Sequence, residues 1–508
     1  MNLLKAIDEI CIKYNERICE IYRDSKLTYG NLKKYSDALS KYIILKYGKD
    51  KSPIVIYGHK EHEMLISFLA CSKSGHAYIP IDTTFPKDRI NDIIESSSPK
   101  LFINIGNINI DKFDGEMLLQ QDLKYIFNKF SSSKFDESFY IKENDVYYML
   151  YTSGSTGKPK GVQITYKALK TFIEWFMPYC KTREDESVFL NQVSYSFDVS
   201  VISVYIGLLL GKTLYVIDKE MTSNFKDLFK NLNISKIAMW ISTPSFAEMC
   251  VIDNSFNKLL LPKLEKMFFA GEVLSKKLVS TLYERFDNIS IINGYGPTET
   301  TVLVTAIEIN KNMLHSEEPI PIGYSMNNSK IMLVDDAGME IKNGEKGEVY
   351  IIGDNVSIGY YKNEEMNKKH FFTIESSEGV KFGYKTGDLA YKKDGIFYYC
   401  GRKDFQIKLN GFRIELEDIE NNLRKLDYVS NDVVLPVKHN EKISYIAALV
   451  KLNKSIDEKE FKIAMKIKND LGKLLPTYMI PRKIKLVDKF PINTNGKIDR
   501  KALQEDLK

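Results

Sequence analysis

Between Pro53 and Ile292 the chain alternates short continuous apolar runs with longer segments in which apolar residues recur every three or four positions. Pro53-Ile-Val-Ile-Tyr57 predicts a buried strand. Residues 61–74, with Met64, Leu65, Phe68 and Leu69 at helical spacing, predict the helix that packs on it. Gly75 punctuates that helix, and Ala77-Tyr-Ile-Pro-Ile81 predicts the next strand. The same alternation recurs over residues 187–217 and 234–292. A parallel strand pair needs a crossover, and a helix between strands supplies one, so the pattern implies a parallel, helix-covered sheet.

From about Ile331 the texture changes to short β-rich runs with turn signals, as in Met332-Leu-Val334, Gly347-Glu-Val-Tyr-Ile-Ile352 and Gly395-Ile-Phe-Tyr-Tyr-Cys400. These runs predict a small barrel or meander that closes a large first domain. Gly401-Arg402-Lys403-Asp404 marks the boundary, and the remaining chain carries its own mixture of helix and strand patterns. The expected architecture is α/β. A large N-terminal domain over residues 1–403 holds helix-covered sheets and the small barrel, and a small α+β domain covers 404–508. A length of 508 residues agrees with at least two domains.

Composition narrows the class. Hydrophobic residues at 44% and charged residues at 27% describe an ordinary globular chain. Net charge is only +5, from 72 basic and 67 acidic residues, which gives no electrostatic case for nucleic acid. The six cysteines are scattered without a CxxC pair, so a reducing cytoplasm suits them better than a disulfide framework. Acidic residues interrupt the first apolar positions, and no apolar run reaches about 18 residues, so neither secretion nor membrane insertion is expected.

The first chemistry-bearing stretch is Tyr151-Thr-Ser-Gly-Ser-Thr-Gly-Lys-Pro-Lys-Gly161, which follows the strand-like Val146-Tyr-Tyr-Met-Leu150. Glycines let successive N–H groups converge on phosphate oxygens. Thr152, Ser153, Ser155 and Thr156 add hydroxyl donors around Gly154 and Gly157, and Lys158 adds charge. The spacing is not that of a Walker loop, since Pro159 follows Lys158 and Thr152 stands where the first glycine belongs. A polar surface turn is the bland alternative. Three glycines, four hydroxyls and two lysines after an apolar strand weigh against it.

Three more motifs follow in order: Asn293-Gly-Tyr-Gly-Pro-Thr-Glu299, Tyr384-Lys-Thr-Gly-Asp388, and Gly401-Arg402-Lys403-Asp404 running on to Gly411 and Glu417. A fourth, Pro491-Ile-Asn-Thr-Asn-Gly-Lys497-Ile-Asp-Arg500, lies near the end. Singly, each is a turn or a charged strand pair; together and in order they are specific. On them the chain resembles the adenylate-forming enzyme superfamily, in particular its amino-acid-activating adenylation domains. The resemblance implies ATP and Mg²⁺ as cofactors, with the phosphate loop Thr152 to Lys158 on the nucleotide. It further implies that Asn293, Gly294, Tyr295, Gly296 and Pro297 hold the adenine, Thr298 the α-phosphate and Glu299 the metal. Asp388 would take the ribose hydroxyls, with Tyr399, Cys400, Gly401 and Arg402 also at the nucleotide. Lys385 stands where the family usually has Arg and is left out of the site. Asp404 would be the hinge of a mobile C-terminal domain, and Lys497 the catalytic lysine it delivers to the reacting carboxylate and phosphate.

Within the superfamily, Ser196-Phe-Asp198 matches the segment whose aspartate receives an amino acid's ammonium. A buried carboxylate between Phe197 and Val199 wants a cation, and an amino acid supplies one. With Asn191-Gln192, Ser242-Thr-Pro-Ser-Phe246 and Asp404-Phe-Gln-Ile-Lys408, the chain looks most like the D-alanine–D-alanyl carrier protein ligases. That likeness places Val302, Phe268, Ala270 and Gly294 around the side-chain pocket. Those ligases usually carry Cys where this chain has Ala270, a difference that widens the pocket and leaves L-alanine, glycine and serine open beside the favoured D-alanine. No segment resembles a carrier domain, so the phosphopantetheinylated carrier protein is expected in trans, as for teichoic acid D-alanylation. Two alternatives stand beside this reading: another small amino acid loaded onto a peptide-synthetase-type carrier, or a non-catalytic nucleotide-binding relative.

Overall fold

The computed structural model describes residues 1–111, 113–131, 136–154, 157–342, 344–376, 379–439, 442–453, 458–491, 498 and 500–505. The chain falls into two compact units. One comprises Met1–Asp82, Ser97–Leu150 and Gly161–Lys403; the other comprises Thr83–Ser96, Tyr151–Lys160 and Asp404–Lys508.

The first unit contains two large sheets. In the six-stranded sheet, Ile54–Gly58 lies between Leu101–Asn104 and Tyr78–Asp82, parallel to both. All five residues of Ile54–Gly58 are buried, which is why its sequence is an unbroken apolar run and does not alternate. The connecting helix His62–Lys73 stops where Gly75 turns into the left-handed region at φ 80°; a Cβ there would lie 2.7 Å from the Phe139 carbonyl oxygen.

The nine-stranded sheet has a parallel centre. Ser290–Tyr295, Lys266–Phe269, Ile237–Ser242, Val188–Asn191, Thr213–Val216 and Ile18–Tyr22 run in that order, with antiparallel strands at both edges. The register pairs Phe268 with Ile292 and Phe269 with Asn293, so the carboxyl ends of two neighbouring strands bring two predicted motifs to the same edge. Ligand sites in open parallel sheets collect at such strand ends. The β-rich stretch after residue 328 forms a five-stranded antiparallel sheet built from Ser329–Val334, Gly347–Gly353, Phe371–Ser376, Gly379–Lys393 and Ile396–Arg402.

In the second unit a three-stranded sheet pairs Val429–His439 with Lys442–Leu452 antiparallel and the latter with Lys483–Leu486 parallel. Helices Leu416–Leu423 and Glu460–Leu474 turn Ile419, Leu423, Ile463, Ile467 and Leu471 toward it, forming a separate apolar core. Each such buried aliphatic side chain contributes about 1.5–3 kcal/mol.

Candidate active site

The glycine-rich turn after strand Ser290–Tyr295 is shaped by close approach. A Cβ on Gly296 would stand 2.6 Å from the Leu303 Cα and the Val302 carbonyl oxygen, and one on Gly294 would stand 2.9 Å from the Phe268 ring. Only hydrogen fits at either position. Just beyond, Thr301 and Val302 are consecutive β-branched residues with φ of 58° and 68°. That conformation costs about 1–3 kcal/mol per residue and persists where the surroundings over-determine it. Here the Thr301 hydroxyl donates to the Asn355 carbonyl at 2.6 Å, and the Val304 N–H bonds the Tyr295 carbonyl at 2.8 Å. Strain stored at Val302 makes the turn a functional candidate.

Around this turn the first unit gathers a buried polar cluster. The Tyr295 hydroxyl donates to one Asp388 oxygen at 2.7 Å, while Arg402 bonds the other at 2.8 Å and Tyr399 approaches it at 3.5 Å. Asp388 and Arg402 face each other across paired strands, which fixes their spacing through the backbone. Burial pushes the Tyr295 phenol well up, and the Asp388 charge pushes it further, so Tyr295 stays a donor. Asn293 donates through its side-chain amide to the Pro321 carbonyl. Pro297 precedes the short helical turn Thr298–Thr300, in which Glu299 is fully buried with its Oε1 accepting from the Tyr360 hydroxyl at 2.7 Å. Cys400 and Gly401 lie on the strand between Tyr399 and Arg402, where burial raises the Cys400 thiol.

Asp198 lies in the same unit, 4% exposed, on the loop after strand Val188–Asn191. The aromatic ring of its neighbour Phe197 comes within 3.3 Å of the space above Gly271, so the Asp198 loop meets the Ala270-Gly271 turn. Phe268, Ala270 and Val302 are all buried in the apolar core of this unit. Tyr148, fully buried, has a hydroxyl with no partner among the described residues, and its phenol is raised first by burial and next by the Asp198 charge.

The second unit holds the loop predicted to take phosphate. Ser153 donates through its hydroxyl to the Arg413 carbonyl at 3.0 Å and accepts from the Glu415 N–H at 3.1 Å. Arg89 reaches the Thr152 carbonyl and Asp418, each at 3.3 Å. The Thr152 hydroxyl is buried without a partner among the described residues, an orphaned donor of the kind an anion satisfies. Gly157 turns at φ 78°, its missing Cβ 3.1 Å from Asn421, and Lys158 is exposed. Gly154 is buried. Asp404 begins the last segment of this unit and accepts from the Gln406 N–H at 3.2 Å. Ser155, Thr156 and Lys497 lie outside the described residues.

One participant escapes sequence reasoning: Tyr360 is one of 31 tyrosines, and no local motif singles it out. Arg89, with Pro86, falls in the family-like stretch that follows Gly75 to Asp82, but its bond to the Thr152 carbonyl is seen only in the structure.

This combination of sheets and loops is the fold of enzymes that form acyl adenylates, and the chain belongs to the AMP-binding enzyme family: that family's model matches residues 7–361, and the model of the AMP-binding enzyme C-terminal domain matches 418–497. Among its relatives, the D-alanine–D-alanyl carrier protein ligases of Bacillus cereus (strain G9842) and Bacillus mycoides (strain KBAB4) are each 42% identical over 507 residues, covering 100% of both chains. Among solved structures, the Vibrio cholerae adenylation domain AlmE in complex with glycyl-adenosine-5'-phosphate is 20% identical, with a TM-score of 0.81 over 99% of this chain and 97% of that one. An NRPS protein containing adenylation and PCP domains, bound to a vinylsulfonamide inhibitor, gives a TM-score of 0.82 at 21% identity over 99% of this chain and 84% of that one. Among the described residues no helix is long and apolar enough to cross a membrane.

Proposed function

We propose that the protein activates D-alanine with ATP and transfers it to the phosphopantetheine thiol of a separate carrier protein. In the first half-reaction an oxygen of the amino acid carboxylate attacks the α-phosphorus of ATP, forming aminoacyl-AMP and releasing pyrophosphate. In the second, the carrier's thiol loses its proton, the sulfur attacks the acyl carbon, and AMP leaves. The observation that carries the reading is Asp198, a buried carboxylate whose neighbour Phe197 borders the turn at Ala270 and Gly271. Its charge suits an α-ammonium, and the apolar residues Phe268, Ala270 and Val302, which the family resemblance assigns to the side-chain pocket, suit a methyl side chain. Full-length identity of 42% to D-alanine–D-alanyl carrier protein ligases supports the same substrate and partner.

Asp388 and Arg402 would hold the ribose, Thr298 the α-phosphate, and the Thr152–Lys158 loop the outer phosphates. Lys497 would stabilise the charge that builds as carboxylate and phosphate meet. Glu299 fits Mg²⁺: it is a hard oxygen ligand, buried and braced by Tyr360, and Mg²⁺ commonly takes one or two carboxylates plus substrate phosphates. Among the described residues no group of three or more His, Cys, Asp and Glu side chains is placed to hold a metal ion. The ion, when bound, neutralises phosphate charge.

Ala270 favours a second reading, in which glycine, L-alanine or serine is activated for a peptide-synthetase-type carrier. ATP–pyrophosphate exchange with D-alanine, L-alanine, glycine, serine and β-alanine separates the two. D-alanine is expected to give the highest kcat/KM; equal or better turnover of L-alanine overturns the D-alanine assignment.

A further inference from the structure

The loop that ends in Asp198 is fastened by buried charged groups that the reaction above leaves unused. Lys60, just beyond strand Ile54–Gly58, is fully buried. Its ammonium donates to the Asn191 side-chain oxygen at 2.9 Å and to the Val193 carbonyl at 2.6 Å, and it stands 3.8 Å from the centre of the Tyr195 ring. Glu20, equally buried, accepts from the Tyr195 hydroxyl at 3.1 Å and pairs with His62 at 2.6 Å. Asp82, at the end of the neighbouring strand, accepts from the Ser194 hydroxyl at 2.9 Å and meets His59 at 2.8 Å. The Ser196 hydroxyl bonds the Pro80 carbonyl at 3.0 Å, and the Phe197 N–H bonds the Ser194 carbonyl at 3.0 Å. From Asn191 to Phe197 the loop is therefore held almost residue by residue, up to the position before Asp198.

We propose that Lys60 is a positioning residue for amino acid recognition: by holding Asn191 and the Val193 carbonyl it fixes the loop that aims Asp198, and thereby sets the affinity for the substrate's ammonium. The inference rests on the assignment of Asp198 made above.

Packing alone does not call for a lysine here. A methionine of similar length fills the same volume without the desolvation penalty of a buried ammonium, and such replacements are often neutral or stabilising. That penalty is visible: burial pushes the Lys60 ammonium down to about 7, against the pull of Glu20 and Asp82. What lysine supplies and methionine does not is directed hydrogen bonds to two loop acceptors. A carboxylate that must meet a small cation gains from such fixing, since a shift of about 1 Å in a positioned group is costly.

The test is Lys60→Met, read by pyrophosphate exchange with the best amino acid of the wild-type panel. Loosening the hold on the substrate's ammonium by the same amount in ground and transition states raises KM and leaves kcat alone. The amino acid KM is expected to rise about 10–100-fold, with ATP KM within about 2-fold and kcat at saturating amino acid within about 3-fold. An unchanged amino acid KM, or ATP KM and kcat deteriorating in step with it, overturns the proposal. If Lys60→Met does not fold, Ser194→Ala and Tyr195→Phe loosen the same loop and are expected to raise the amino acid KM about 3–10-fold; no change in either overturns it equally. Asp198→Asn in parallel keeps the two claims apart. If Asp198→Asn leaves the amino acid KM unchanged, the recognition reading fails and takes this one with it. If Asp198→Asn raises it and Lys60→Met does not, only the role of Lys60 is lost.

Discussion

The Tyr295 hydroxyl donates to the Asp388 carboxylate over 2.7 Å, joining the last residue of a parallel strand to a strand of the antiparallel sheet. Arg402 completes the triad from the other side. Asp388→Asn keeps the shape but exchanges one acceptor oxygen for a donor facing Tyr295 or Arg402. Hydrogen bonds to charged groups are worth about 1.5–3 kcal/mol, so the ATP KM in pyrophosphate exchange is expected to rise about 10–100-fold. Tyr295→Phe, which removes one donor and leaves the Arg402 pair, is expected to cost less.

Legibility in the sequence follows physical locality. The buried strand Ile54–Gly58 and its helix are readable because hydrophobic period and a terminal glycine are encoded within a few residues. The glycine-rich loop after Leu150 and the Asn293–Glu299 turn are readable as turns because backbone freedom must be written as glycine at the position that needs it. Tyr360 beneath Glu299, and Lys60 beneath the Asp198 loop, are not readable. Each meets its partner across scores of residues, 61 for Tyr360 and 131 for Lys60 to Asn191, and nothing near either residue marks the meeting. The turn-rich runs predict a barrel or meander without fixing which; the strand order of the antiparallel sheet depends on pairings such as Gly347 with Ala390, which local patterns do not specify.

Lys497 carries a prediction that separates the half-reactions. Lys497→Ala removes the cation proposed for the adenylation transition state and no group needed by the thiol. Adenylation is expected to fall at least about 1,000-fold, while thioester formation from preformed aminoacyl-AMP stays within about 5-fold of wild type. Single-turnover assays of each half check it, and equal losses in both contradict the role.

The second unit should show a pH signature through Asp432. Its carboxylate accepts from Arg424 at 3.1 Å, yet burial dominates and raises it from its ordinary range to about 6. A carboxyl with a raised folded pKa holds more protons when folded than when unfolded, so its contribution to stability is lost as pH climbs from about 4 to about 6. Asp432→Asn cannot titrate. Between pH 4 and pH 7 the difference in unfolding free energy is expected to move toward the variant by about 2 kcal/mol. Denaturant melts at both pH values read it, and parallel profiles reject it.

Ala270 tests selectivity. It is buried beside Gly271, whose space Phe197 borders, so a larger side chain there narrows the region adjoining the Asp198 loop. Ala270→Cys is expected to raise the ratio of D-alanine to L-alanine kcat/KM by roughly 3–10-fold, the scale on which small apolar changes act. A ratio that stays flat or falls counts against Ala270 as a pocket residue.

Ser153 has one hydroxyl proton, and the Arg413 carbonyl already takes it. If the loop holds phosphate through Ser153 as proposed, an oxygen that receives that proton takes it from the Arg413 carbonyl, so that bond and this internal one exclude each other. The two would then be competitors in a linkage: whatever free energy the internal bond contributes would be subtracted from apparent ATP affinity, and ATP in turn would weaken the hold of this loop on the strand pair that follows Asp404.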